Sequence, residues 1–153
     1  MKRNENLIPL SHEHHHGLVF CHRLKKLNHT DQLTAVRYIN DYYENHLRNH
    51  FTEEENTLAY LINDEKIKRR FLNDHNIISN IITNINITPS DVIEQGLALS
   101  QIINNHIRFE ERILFPWLEE NLSDKELFGI GNDLNVEVTE IEGHAFEPEF
   151  WEN

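Results

Sequence analysis

Apolar residues recur every three or four positions through most of the chain, which is the pattern of helices that bury one face. The clearest seam alternates steps of four and three residues and consists of Ile67, Phe71, His75, Ile78, Ile82 and Ile85. Only five glycines and four prolines occur in 153 residues, so the chain has few of the turns that a β-rich protein needs. The pattern therefore predicts an all-α fold of long helices with short connections.

Four long helices are predicted, over about residues 11–27, 31–63, 64–87 and 89–119. Ser11, Thr30 and Thr88 are expected as N-caps because their hydroxyl groups can accept hydrogen bonds from the free backbone N–H groups of the first turn. Pro116 is expected to kink the fourth helix, since its ring removes one backbone donor. Short links between successive helices favour antiparallel neighbours, and hence an up-down-up-down four-helix bundle.

The chain is predicted to form one domain over residues 1–153, because this length fits a single core and leaves little room for a second. The bundle is expected to cover about residues 7–120, and residues 121–153 to form a C-terminal extension. Ser123 and Glu126 have the spacing of a capping box, which predicts a short fifth helix. The tail beyond that helix mixes aromatic and acidic residues and is expected to pack on the bundle as an extended segment.

Acidic residues outnumber basic ones by 26 to 14, which gives a formal net charge of −12. A surface of this sign argues against binding to nucleic acid or to an anionic membrane. The sequence has no run of about 20 apolar residues and no signal-peptide pattern. Cys21 is the single cysteine, so no disulfide can form within the chain. We expect a cytoplasmic protein, and the sequence identifies no protein partner.

Histidine is the unusual residue, with eleven in the chain, and its placement follows a repeat. The segments that begin at His50 and at His106 both carry glutamate at offsets of four and five residues and leucine at eight. Upstream of each segment an acidic residue precedes a histidine, which is His14 in the first case and His75 in the second. The order along the chain is therefore histidine, His-x-x-x-Glu, histidine, His-x-x-x-Glu, with one part on each predicted helix.

This spacing suits metal binding because residues i and i+4 lie on one face of a helix, about 40° apart with about 6 Å of rise. Two such helices and two single histidines supply four imidazoles and two carboxylates. That number exceeds the four ligands of a tetrahedral zinc site and suits two metal ions bridged by carboxylates. Imidazole and carboxylate ligands are compatible with Fe, Mn or Zn, and a four-helix core is a known location for a di-iron or di-manganese centre.

The spacing alone has little weight, because glutamate is so abundant here that one or two His-x-x-x-Glu pairs are expected by accident. The matched positions of both pairs relative to Leu58 and Leu114 are more specific. Burying four histidines and two glutamates in one small core is unfavourable without partners, and metal ligation removes that objection. His14 lies on the apolar face of its helix, which favours it as a ligand over His15, although the choice between them stays open.

With these residues in place, the sequence resembles the hemerythrin-like domain family, which binds cations, over about residues 7–118. The similarity is carried by the segments 10–16, 50–55 and 106–116. The resemblance implies a non-heme di-iron centre inside a four-helix bundle. It also implies the ligands, which are four histidines and two bridging glutamates: His14, His50, His75, His106, Glu54 and Glu110.

The chain departs from the oxygen-carrying hemerythrins, which have His-x-x-x-His on the third helix and His-x-x-x-x-Asp on the fourth. Four residues after His75 lies Ser79, so one histidine ligand is missing. Glu110 repeats the pattern of the second helix and is preferred over Glu111. The resulting set is more similar to di-iron proteins linked to iron–sulfur-cluster repair and to iron-sensing domains. An open coordination position would permit O₂, NO or peroxide chemistry.

The leading prediction is a protein that holds two iron ions, with Mn or Zn as alternatives, and that binds or senses O₂ or NO or handles iron. A di-metal oxidase or peroxidase is the second hypothesis. The sequence shows no separate general base, so whether the chain is an enzyme stays open. A metal-free helical interaction module is the third hypothesis.

Overall fold

The structure is a computed structural model that describes residues 2–136 and 145–152. This part of the chain is all-α, with seven α-helices: α1 (Ile8–Leu24), α2 (Gln32–Tyr42), α3 (Arg48–Leu58), α4 (Glu65–Ile87), α5 (Val92–Phe109), α6 (Phe115–Asn121) and α7 (Asp124–Val136). One π-helical stretch, Tyr43–Leu47, joins α2 to α3, and another, Glu110–Leu114, joins α5 to α6. The helices therefore form four long units followed by the shorter α7.

Short connections separate the four long units. Single 3₁₀ turns lie in or beside these links, at Leu27–His29, Ala59–Leu61 and Pro89–Asp91. Such links leave no room for a long crossover, so consecutive units run antiparallel. The predicted all-α, up-down-up-down bundle is confirmed.

The first helix begins at Ile8, earlier than predicted, and Ser11 is not its N-cap. Pro9 occupies the first turn instead, where a missing backbone N–H leaves no hydrogen bond unmade. The Ser11 hydroxyl donates to Glu111 Oε2 at 2.8 Å, so it joins α1 to the fourth unit.

Two other helix starts also differ from the prediction. Asp31 rather than Thr30 caps α2, because Asp31 Oδ1 accepts the backbone N–H of Thr34 at 2.7 Å. Thr88 makes no side-chain capping bond, since the chain passes through the 3₁₀ turn Pro89–Asp91 before α5 begins. These differences move boundaries by a few residues and leave the plan of the bundle unchanged.

The irregularity predicted at Pro116 takes the form of the π-helical stretch just before it. The backbone N–H that follows this stretch bonds to the carbonyl of Glu110, five residues back. In the same register the Glu111 carbonyl would receive an N–H from residue 116, which proline lacks. Arg3 Nη2 donates to that carbonyl instead, at 2.7 Å. A π stretch inside a helix is frequent at functional sites, and this one begins at a predicted metal ligand.

The bundle core consists of two hydrophobic clusters. The first includes Phe20, Leu24, Ile39, Ile78, Ile85 and Leu99. The second includes Leu10, Leu58, Phe71, Phe109, Phe115 and Leu118. On each long unit the predicted metal ligands fall between members of the two clusters, so the donors form a polar layer between two apolar ones. The seam predicted on α4 is buried apart from Ile67, which is partly exposed.

The C-terminal extension covers both ends of the core. The predicted capping box is confirmed: Glu126 N donates to Ser123 Oγ at 3.1 Å, and Ser123 N donates to Glu126 Oε1 at 2.9 Å. The helix α7 that it starts packs on the second cluster. The tail prediction falls partly on residues 137–144, outside the described residues. Beyond them Phe146 and Phe150 pack on the first cluster, and the tail ends in a 3₁₀ turn rather than fully extended.

No helix within residues 2–136 and 145–152 is both long and apolar enough to cross a membrane. The single-domain organisation and the cytoplasmic location stay predictions.

Candidate metal centre

The structure brings all six predicted ligands into one layer of the bundle. They form two groups of four residues whose ligand atoms lie within 4.8 Å of one another: His14, His50, Glu54 and Glu110 in one, and Glu54, His75, His106 and Glu110 in the other. The two glutamates belong to both groups. The arrangement has the form expected of two cation positions that share two carboxylates, and the role of each residue as a ligand stays a prediction.

Each shared glutamate is approached by one histidine of its own helix and by one from another unit. Glu54 Oε1 lies 3.4 Å from His50 Nε2 and 3.2 Å from His75 Nε2. Glu110 Oε2 lies 3.4 Å from His106 Nε2, and its Oε1 lies 2.7 Å from His14 Nε2. The i,i+4 pairs of the sequence repeat thus face the same centre that receives the two single histidines.

Several buried oxygen and nitrogen atoms that could bind a metal ion in this layer have no hydrogen-bond partner. Within the described residues the unpartnered buried side-chain atoms, apart from Arg3 Nε, are both carboxylate oxygens of Glu54, Glu110 Oε2, His75 Nε2 and His106 Nε2. Both glutamates are fully buried. Leaving such groups unpaired costs roughly 1–3 kcal/mol each, and more when they are charged. Metal coordination would satisfy them all, so the residues present fit a metal centre.

The histidine pKa values reflect this crowded polar layer. Burial lowers the pKa of His14, but hydrogen bonds to Glu110 and Glu111 outweigh it and raise the value to about 9. Burial likewise acts against His106, but Glu110 and Asp74 raise its pKa to about 9. Burial and the nearby His106 lower the pKa of His75 to about 4. Without metal at neutral pH, His14 and His106 carry protons that a metal ion must displace.

The pKa values of the two shared glutamates are shifted in opposite directions. Burial and the neighbouring Glu110 raise the pKa of Glu54 well above its ordinary value. Burial acts in the same direction on Glu110, but His106 and His14 together hold the pKa of Glu110 well below its ordinary value. A cation that binds Glu54 as a carboxylate therefore acts against the burial that favours its protonated form.

A carboxylate also contacts the outward nitrogen, Nδ1, of each predicted histidine ligand. The pairs are His14 with Glu111 at 2.6 Å, His75 with Glu55 at 2.8 Å, His106 with Asp74 at 2.8 Å, and His50 with Glu13. These four acids were not predicted as part of the site. A signal was present, however, because each acid is adjacent in sequence to a predicted ligand.

An apolar pocket reaches the group that contains His14 and His50. The pocket has a volume of about 40 Å³, and its apolar walls include Gly17, Tyr42, Leu47, Phe51, Ile103 and Ile107. A Cβ atom at Gly17 would lie 3.0 Å from Ile107 Cδ1, so glycine at this position lets the Ile107 side chain approach α1 closely at the wall of the pocket. We name the four residues His14, His50, Glu54 and Glu110 the pocket-side group.

The other four residues, Glu54, His75, His106 and Glu110, are named the far-side group. His106 borders the pocket from inside, but His75 does not. Gly17 lies three residues after His14, and the residue three positions after His75 is Ile78 on α4, which is fully buried. The position that corresponds to Ile107 is Phe51, whose ring stacks on His75 with centroids 4.0 Å apart. Side chains therefore fill the space on this side.

The neighbouring histidines of α1 and two tyrosines of the second unit take different positions. His14 is buried, whereas His12, His15 and His16 are exposed, so His14 rather than His15 faces the centre. Tyr42 lines the pocket, and the Tyr43 hydroxyl instead lies 3.2 Å from Ser79 Oγ.

The fold and the donor set define a class of protein, the all-α bundles that hold cations between their helices. Residues 7–118, well over half of the chain, match the hemerythrin HHE cation binding domain family. The chain belongs to that family, and the resemblance noted in the sequence is confirmed. No curated protein and no solved structure matches the chain significantly. The chain thus carries a cation-binding domain with two donor groups compatible with metal.

Proposed function

We propose that this protein holds a non-heme di-iron centre that binds or senses O₂ or NO. His14 and His50 would hold one ion and His75 and His106 the other, with Glu54 and Glu110 bridging them. The observation that carries the proposal is that both glutamates belong to both groups of donors. Two cations so close together need bridging anions between them, and fully buried carboxylates supply that charge. Iron is favoured over Zn because four-helix bundles are a known location of di-iron centres. Four protein ligands per ion would also fill a tetrahedral zinc site, whereas they would leave further positions open on iron.

The pocket supports the choice of a diatomic ligand. Its walls are mainly apolar around the predicted ligands, and its volume is about 40 Å³, which accommodates a molecule of the size of O₂ or NO. It reaches the pocket-side group, whose His50 side chain keeps 14% of its surface exposed, against 3% for the corresponding His106. A ligand that enters here meets the ion held by His14 and His50 first.

A di-metal peroxidase is the second candidate, because peroxide is small enough for the same pocket. An oxidase of larger organic molecules fits less well for the same reason of size. A metal-free interaction module would leave both buried Glu54 oxygens and Glu110 Oε2 without partners, which disfavours it.

Anaerobic iron loading followed by metal analysis tests the proposal directly. We expect two iron ions per chain and an absorption spectrum that changes on addition of NO or O₂. Loading with Zn²⁺ and Mn²⁺ in parallel shows which ion the site prefers. Fewer than one iron per chain would refute the di-iron proposal. If the fully loaded protein has a spectrum that neither O₂ nor NO changes, the proposal that it binds these gases is refuted. Peroxide turnover that depends on His50 would favour the second candidate.

A further inference from the structure

The four acids on the outward nitrogens of the histidines follow a strict order along the chain. Glu13 on α1 contacts the histidine of α3, and Glu55 on α3 contacts the histidine of α4. Asp74 on α4 contacts the histidine of α5, and Glu111, just after α5, contacts the histidine of α1. Each long unit thus holds a histidine of the next, and the last unit returns to the first. We call these four acids the carboxylate ring.

Helix geometry explains why the ring closes. Each of its members adjoins a predicted ligand in sequence, and neighbouring residues of an α-helix point about 100° apart. When the ligand faces the centre of the bundle, its neighbour therefore faces the adjacent unit. Glu13 precedes His14 in this way, and Glu55 follows Glu54. The acid is then placed at the back of an imidazole that belongs to the next helix.

The chemistry of these contacts fixes which nitrogen is free for a cation. A carboxylate oxygen can only accept, so the Nδ1 atom that contacts it must carry the proton and donate. A neutral imidazole with its proton on Nδ1 has its lone pair on Nε2, the nitrogen that faces Glu54 or Glu110. The negative acid also makes that lone pair more basic. The same carboxylate therefore selects the tautomer, orients the ring and strengthens the donor.

We propose that Glu13, Glu55, Asp74 and Glu111 are positioning residues, each of which sets the metal affinity of one ion through one histidine on the next helix. This inference rests on the proposed metal-binding function and goes beyond it by assigning the acids to separate ions. Glu13 and Glu111 act on the pocket-side ion through His50 and His14. Glu55 and Asp74 act on the far-side ion through His75 and His106.

Glu55 offers the cleanest test of the ring. Its side chain is 44% exposed, and within the described residues its one polar contact is with His75. Glu111, by contrast, also binds Ser11 and Arg3, and Asp74 binds Arg70, so changes there would disturb other contacts. Glu65 on α4 is a matched control. Its side chain is 90% exposed, and the ion pair that it forms with Arg69 is long, at 3.8 Å.

The experiment measures Co²⁺ binding to the full chain in competition with a chromophoric chelator. Wild type is expected to bind two ions. Glu55→Ala should weaken one of them about 10- to 100-fold, the range found when such supporting contacts are removed. Glu55→Gln keeps an acceptor oxygen and should recover part of the loss, and Glu65→Ala should bind as wild type does.

Two further readouts separate positioning from general damage to the fold. The ¹⁵N shifts of labelled histidine in the metal-free protein report the tautomer, and we expect the His75 signal alone to change in Glu55→Ala. Azide should still bind to the Co²⁺-loaded Glu55→Ala variant when that variant holds one Co²⁺ ion per chain. Azide binding should be weakened in Glu13→Ala, because Glu13 acts on the pocket-side ion.

Two results would overturn the inference in distinguishable ways. If wild type binds two ions and Glu55→Ala and Glu13→Ala bind them equally well with unchanged tautomers, the ring has no positioning role and the proposed function stands. If wild type binds no metal, the proposed function fails and the inference fails with it.

Discussion

The pocket-side and far-side groups have the same donors but different surroundings. Each has two histidines and the same two glutamates, with supporting acids in corresponding places. Yet Gly17 and Ile107 line a pocket beside one group, whereas the corresponding positions beside the other are the buried Ile78 and Phe51, whose ring stacks on His75. Access to the centre is therefore determined by two apolar positions rather than by the ligands. A nearly symmetric donor set can serve an asymmetric function when only its packing differs.

The largest change should come from the feature that the two groups share. Glu54→Gln replaces a fully buried carboxyl, whose pKa burial raises, by a neutral group of the same shape. We expect the metal-free protein to melt at an unchanged temperature, while both ions are lost and added metal no longer raises the melting temperature. Metal analysis and thermal melts with and without Zn²⁺ check this. Retention of two tightly bound ions would contradict the shared role.

Removing one histidine should separate the two groups. His75→Ala and His50→Ala are each expected to lose about one of the two ions. Azide or NO binding should persist in His75→Ala and disappear in His50→Ala, because the pocket reaches only the second of these residues. His75→Ala also loses its stack on Phe51 and should reduce stability by roughly 1–3 kcal/mol. Equal loss of ligand binding in both variants would remove the distinction between the sides.

A smaller effect is expected from closing the pocket without touching a ligand. Gly17→Leu should slow NO or azide association by about tenfold or more and leave the metal content unchanged, because the new side chain occupies the entry beside Ile107. Gly129→Leu is the matched control, since nothing lies within 4 Å of a Cβ atom placed there. Stopped-flow measurements on metal-loaded protein give the rates. An unaltered rate in Gly17→Leu would show that ligands enter elsewhere.

The mildest test of the comparison is pH. His14 in one group and His106 in the other have pKa values raised to about 9, so at neutral pH both hold protons that metal must displace. Metal affinity should therefore increase as the pH rises towards 9, by up to about tenfold per pH unit for each histidine that releases a proton, and then level off. Competition titrations at several pH values check this. A slope confined to one ion would show that the two groups titrate differently.

The sequence was sufficient to predict the bundle and the six residues that the structure brings together. Helical periodicity located the long units, and the repeat of His50 with Glu54 and His106 with Glu110 identified the inward faces. Local boundaries were less predictable, because capping depends on which side chain reaches a free N–H. Asp31 rather than its neighbour does so at the start of α2.

Each acid of the carboxylate ring adjoins a predicted ligand in sequence, but which histidine it contacts and the shape of the pocket could not be predicted, and the reason is physical. Whether Glu55 points to solvent or to His75 depends on how α3 and α4 are rotated against each other, which a single helix does not determine. The pocket depends on a comparison across helices as well, since Gly17 matters only because Ile107 lies opposite to it. The residues that share one face of a helix can be predicted from the sequence, whereas the contacts between two helix faces cannot.

The ring order has a consequence for the design of smaller proteins. The first two units carry Glu-His followed by His-x-x-x-Glu-Glu, and the next two carry Asp-His followed by the same motif. Every contact of the ring in one half has its counterpart in the other, as a two-fold axis would require. Two copies of a single hairpin, half the length of this bundle, would generate all four contacts and both donor groups by symmetry. A homodimeric peptide would then suffice to build the centre. Its two ions would have identical surroundings, with either a pocket or buried side chains beside both.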